Sequence, residues 1–156
     1  MDAATAIVEG TAAGSVATVA MSAVMVAGDR AGLMGEQPPT AVATSALAGA
    51  GIDRPSARAS VLAPAAHLGF GAGAGVIFSF VRRLLPPLPG WLVGVVYGLG
   101  VWAVSYKGWI PALGILPPPE RDRPGRPAVM VAAHVVYGLV LGSLVRAPKR
   151  RERPTA

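Results

Sequence analysis

Four stretches of the chain run almost without a charge, at residues 3–27, 61–81, 91–106 and 128–145. None shows the strict alternation of a half-buried strand, and each approaches the roughly 20 apolar residues that a helix needs to cross a bilayer. The first carries Glu9 near its beginning, and the second ends at Arg82-Arg83. The turn LLPPLPG (residues 84–90) is short and rich in proline, which folds the second and third stretches back on each other. Two longer connections lie on the opposite side. Residues 28–60 carry mixed charge, Pro38-Pro39 and a weakly apolar piece at 40–52 that is too short to span and reads as an interfacial or re-entrant helix. Residues 107–127 contain six prolines, so regular helix through them is not expected. The pattern predicts an all-α integral membrane protein, a four-helix bundle in a single membrane domain spanning residues 1–156.

An internal repeat refines that picture. His67, Phe70, Gly71 and Gly75 match His134, Tyr137, Gly138 and Gly142 in the frame A-H-x-x-aromatic-G-x-x-x-G. Asp53-Arg54-Pro55 and Asp122-Arg123-Pro124 precede the two histidines at similar distances, and Gly10 and Gly14 match Gly94 and Gly98. The chain therefore reads as two duplicated helical hairpins, related by an axis along the membrane normal. Each predicted span carries a Gly-x-x-x-Gly pair, and residues four apart share one helix face. With no side chain there, two backbones can approach closely and gain contacts that lipid does not match. Gly69 and Gly73 add a second glycine face to the second span, open to a partner helix such as a second copy of the chain.

Composition strengthens the membrane reading, since hydrophobic residues make up 53% and charged residues 14%, too few to coat a soluble globule. The net charge of +6 is concentrated in a basic tail at residues 146–156. No aromatic residue interleaves that tail, which fits anionic lipid headgroups and not nucleic acid. The 14 Lys and Arg divide evenly between the two sides of the predicted bundle. Those of the tight turn and the tail abut their spans most closely, which places both termini in the cytoplasm of a bacterial inner membrane. Without cysteine, thiolate metal sites, disulfides and cysteine nucleophiles are excluded.

His67 and His134 fall about six residues inside the outer edge of their spans, roughly 9 Å deep at 1.5 Å per residue. Trp102 and Tyr106 count back to a similar level, giving a candidate polar layer. The imidazoles can tie helices together, carry protons from the outer face, or hold a haem as paired axial ligands. No metal site and no cofactor is called for, because no carboxylate lies at that depth. Glu9 lies near the other edge, an interfacial carboxylate in reach of water or an inner proton port. Ser15, Ser22, Ser79, Ser105 and Ser143 lack a base at a diagnostic spacing, so no catalytic residue is assigned and no enzyme is expected.

His67, then Pro89-Gly90, then the loop Pro111-x-x-Gly114-x-x-Pro117-Pro118 with Glu120, then His134 early in the last span, form a pattern similar to the YagU-like family of small bacterial inner-membrane proteins. That resemblance implies an integral helical protein of obscure function, in a family with acid resistance suggested for one branch. The expected function is a structural, accessory or homo-oligomeric membrane component with the bilayer as its first partner. The alternatives are a small transporter or channel between the repeats and a haem-binding electron-transfer subunit.

Overall fold

A computed structural model describes residues 2–52 and 55–146, with side chains of the second segment from residue 58 onward. Asp53-Arg54 and the basic tail from residue 147 lie outside the described residues. Among the described residues every regular element is helical. Helix α1 (Ala3–Arg30) starts at Asp2, whose carboxylate caps the Thr5 N–H at 2.8 Å. Then follow α2 (Pro38–Gly49), α3 (Pro55–Leu84) and α4 (Gly90–Trp102). α4 runs on into a π-helical segment, Ala103–Trp109, and the single turn α5 (Ile110–Ala112). After a 3₁₀ turn at Pro119–Arg121 comes α6 (Arg126–Leu144), the last of the described helices.

Among the described residues three helices are long and apolar enough to cross a membrane: α1, the Arg58–Leu84 portion of α3, and α6. α4 alone is shorter, 13 residues, because its α-helical hydrogen bonding stops at Trp102. Ser105 Oγ bonds the Val101 carbonyl at 2.7 Å, which competes with the backbone ladder where the wider π turn begins. The connection at 28–60 holds a full helix, α2, with Pro38 and Pro39 in its first turn, where the missing N–H is not needed.

Packing is organised around two glycine seams. In the α1–α3 seam, a Cβ placed on Gly10 would sit 2.6 Å from the Val76 Cα, and one on Gly14 would sit 3.0 Å from the Ala72 Cα. In the α4–α6 seam, a Cβ on Gly94 would be 2.8 Å from the Gly142 Cα, and one on Gly138 would be 2.6 Å from the Gly94 carbonyl carbon. Gly98 meets the backbone of His134 and Gly138. Backbone therefore lies directly on backbone, with Gly14 against Gly71 matched by Gly98 against Gly138. α1 also packs along α6, and α2 lies over α3, where Ala43 and Leu47 meet Ala59 and Ala63. α3 and α4 touch sparingly.

The outward faces are apolar: Val8, Val19, Val61, Ile77, Val96 and Val104 are all more than half exposed. Exposed apolar side chains on α1, α3 and α6 accord with helices long and apolar enough to cross a membrane. At the end that carries the tight turn, Arg82 is 2% exposed and donates to the Pro86 and Leu88 carbonyls at 3.2 and 2.6 Å, closing residues 85–89. The starts of α1 and α4 and the ends of α3 and α6 meet there, with the Arg146 N–H donating to Glu9 at 3.0 Å and Arg83 to the Asp2 carbonyl at 3.1 Å.

At the opposite end Asp122 and Arg126 form a buried ion pair at 2.8 Å, 2% and 7% exposed at the side chain. Tyr106 donates its hydroxyl to Asp122, and Arg126 Nε donates to the Met34 carbonyl at 2.8 Å. This cluster ties the π segment, the loop after α1 and the start of α6 together.

Candidate functional site

Between the two helix pairs lies a cavity of about 290 Å³. α1 contributes Met21 and Met25, one turn apart on the stripe that continues from Ala17. α3 contributes His67 and Phe70, α6 contributes Met130, His134 and Tyr137, and the α4 path contributes Val101, Ser105 and Trp109. α2 covers the space with Pro38, Val42 and Ala46. The lining is almost wholly apolar, and the two imidazoles are its main polar groups.

His134 is 6% exposed, and its Nδ1 lies 2.8 Å from the Met130 carbonyl oxygen. A carbonyl only accepts, so Nδ1 carries the proton and, in the neutral ring, Nε2 keeps a free lone pair. His67 is half-buried with Nδ1 3.4 Å from Ser22 Oγ, a long contact that fixes neither tautomer. Two tyrosines cross to α3 from other helices: Tyr137 donates to the Gly71 carbonyl at 2.8 Å and Tyr97 to the Ala74 carbonyl at 2.7 Å. Each uses the second lone pair of a helical carbonyl, so the bonds hold α4 and α6 to α3 without breaking its ladder.

The structure brings His67 and His134 of the four-residue layer to one chamber and leaves Trp102 and Tyr106 out of its lining. Depth counted along a helix does not give the direction around it. Trp102 and Tyr106 continue the stripe of Gly94 and Gly98 at four-residue steps, so they stay on the α6 side of α4, with rings 6.3 Å apart. Trp102 Nε1 is buried there without a partner. Ser105 and Trp109 take the cavity-facing places instead, and Tyr137 and the three methionines complete the lining that depth counting missed. Their readable signal was spacing, since Met21 and Met25, and Met130 and His134, are each four apart.

The proline-glycine loop has a capping role. Gly114 takes φ +68° just after α5 and donates to the Pro111 carbonyl at 3.0 Å, while the Ile115 N–H reaches Ile110 at 3.1 Å. Pro117 and Pro118 carry the chain on in extended form to Glu120, which pairs with Lys107 at 2.8 Å. The bond from Lys107 holds the Glu120 carboxyl below its ordinary range. A depressed folded value makes this contribution present above the ordinary carboxylate pKa and lost as pH falls through the folded one. Lys107→Ala is expected to return the Glu120 titration, followed by NMR, to the ordinary range. Both groups are well exposed, so added salt should shrink the difference.

Among the described residues no three His, Cys, Asp or Glu side chains gather as a metal site would require. A model of a family of unknown function, DUF6789, matches residues 4–155. The chain belongs to that family. The DUF6789 match takes in every helix described above and the basic tail, and nothing in it ties the chain to the YagU-like proteins specifically. No curated protein and no solved structure matches the chain.

Proposed function

We propose that this DUF6789 protein crosses a bacterial inner membrane four times, with both termini in the cytoplasm, as two copies of one helical hairpin. In this reading it acts as a non-enzymatic accessory or self-associating component of the membrane. The observation that carries it is the equivalence of the glycine seams: Gly10/Gly14 on Gly75/Gly71 is repeated as Gly94/Gly98 on Gly142/Gly138. α4 and its π extension form the fourth crossing, since they lie along α6 and continue to residue 112. The exposed apolar side chains then meet acyl chains, and the pair of buried His134 and half-buried His67 supports a response to protons entering from the outer side.

A solute path between the repeats has less support, because that space is lined by methionine, alanine and aromatic side chains and bridged by Tyr97 and Tyr137. Absorption of the purified protein tests the haem alternative, which a Soret band would favour.

Crossing number is directly measurable because the chain has no cysteine. Gly32→Cys, Leu88→Cys and Gly114→Cys, labelled with a membrane-impermeant maleimide in intact spheroplasts, are expected to react, stay silent and react, respectively. Labelling of Leu88→Cys and Gly114→Cys from the same side would remove the fourth crossing. Replacing both histidines by glutamine should abolish a pH-dependent growth phenotype while the helical circular dichroism stays unchanged. An unaltered response would remove the proton link.

A further inference from the structure

The cavity does not close on the fourth side of the bundle. Where α3 and α4 part, a cleft of about 550 Å³ runs along their outer faces and shares Phe70, Ala74, Val101, Ser105 and Trp109 with the cavity. Its floor is bare backbone, since Gly69 and Gly73 of α3 and Gly100 of α4 have open space where a Cβ would stand. The chamber between the histidines therefore leads sideways into the region that acyl chains occupy.

An apolar void of this size is out of keeping with seams packed backbone on backbone. Water does not fill it well, because a buried water needs two to four polar partners and this lining offers few. One group inside it points to a ligand. His134 is 6% exposed and lines the cavity, its Nδ1 is committed to Met130, and among the described residues no donor reaches Nε2, which remains an acceptor. The matching ligand group is a hydroxyl. Around it Met21, Met25 and Met130 face Phe70, Trp109 and Tyr137, a set of polarisable sulfurs and rings suited to a flat aromatic head.

We infer that the cavity binds a lipid-soluble hydroquinone, its ring held between the methionine and aromatic side chains and a ring hydroxyl donating to His134 Nε2. Its isoprenoid tail leaves over the glycine floor between α3 and α4. His67, on the facing helix pair, meets the oxygen on the other side of the ring. This site rests on the membrane-spanning reading, because the cleft must open onto lipid for such a ligand to arrive.

The chemistry predicts a preference. A quinone has carbonyl oxygens and no hydroxyl, so it offers nothing to the Nε2 lone pair of a neutral ring, and the reduced form should bind about tenfold more tightly. The test is titration of the full-length protein in mild detergent with a decyl-substituted hydroquinone, kept reduced, and with the matching quinone, following tryptophan fluorescence beside Trp109. Saturable quenching by the hydroquinone is expected, weakened about tenfold in His134→Leu. Gly73→Leu, at an open and exposed position, should keep the fold by circular dichroism and also bind at least about tenfold more weakly, because the side chain fills the path of the tail. Equal affinity for both redox forms, binding unchanged in both variants, or displacement by lauric acid at lower concentration than by the hydroquinone would each overturn the proposal. Because the titration is done in micelles on folded protein, its failure is separate from a failure of the cysteine labelling.

Discussion

Gly138→Leu is expected to separate α4 from α6 and to destabilise the detergent-solubilised protein by about 3 kcal/mol or more. A Cβ at this position already falls 2.6 Å from the Gly94 carbonyl carbon and 2.8 Å from the Val95 Cα, and those atoms are backbone, which does not rotate aside as a side chain would. The helices must move apart, and every glycine contact along the seam lengthens with them. Gly138→Ala should cost about 1–3 kcal/mol for the same reason. Gly100→Ala on the outer face of α4, where nothing stands within 4 Å, is the matched control and should be neutral or slightly stabilising through helix propensity. Unfolding by added SDS, followed by circular dichroism, reads all three. Equal midpoints for Gly138→Leu and Gly100→Ala would show that the seam contributes nothing.

Arg126→Met is expected to cost about 3 kcal/mol, the scale for removing one partner of a buried ion pair. The arginine reaches Asp122 and the Met34 carbonyl, both at 2.8 Å, so its loss leaves a carboxylate with the Tyr106 hydroxyl and the Arg123 N–H as remaining donors. Asp122→Asn should likewise destabilise, because it weakens the acceptor shared by Tyr106 and Arg126. The double variant should lose clearly less than the sum of the two, since each single change strands the other group. Strict additivity in thermal unfolding would mean that the cluster is not a unit. Both variants should also loosen the joint between the π segment and α6, so proteolysis at residues 113–125 is expected to quicken.

The glycine seams could be read from the sequence because a four-residue step fixes a shared face whatever the helix later packs against. Which seam meets which is visible only in three dimensions, where Gly14 faces Gly71 and Gly98 faces Gly138. The level expected for the histidines and for Trp102 was counted along their helices, and such counting does not say which way a side chain faces, because height along a helix leaves its azimuth open. The stripe Gly94, Gly98, Trp102 held the missing angle. The π segment has a local signal in Gly108, whose φ −98° and ψ −105° are not helical, but nothing announced α2 as the cover of the cavity. Asp122 and Arg126 were legible as an opposite-charge pair four apart, but their burial depends on Met34 and Tyr106 arriving from elsewhere. The opening between α3 and α4 left one mark in the sequence, the second glycine face at Gly69 and Gly73, but that α4 stands off from this face is visible only in three dimensions.

The meeting of Glu9 with Arg146 and of Asp2 with Arg83 brings the beginning and end of the helical path to one spot beside the proline turn. The order in which the halves are synthesised is thus expected to have little effect on the shape they reach. A gene with these ends joined through a brief linker and reopened between Pro86 and Pro87 would encode a circular permutant in which the C-terminal pair emerges from the ribosome first, and the same tertiary contacts would remain available to it.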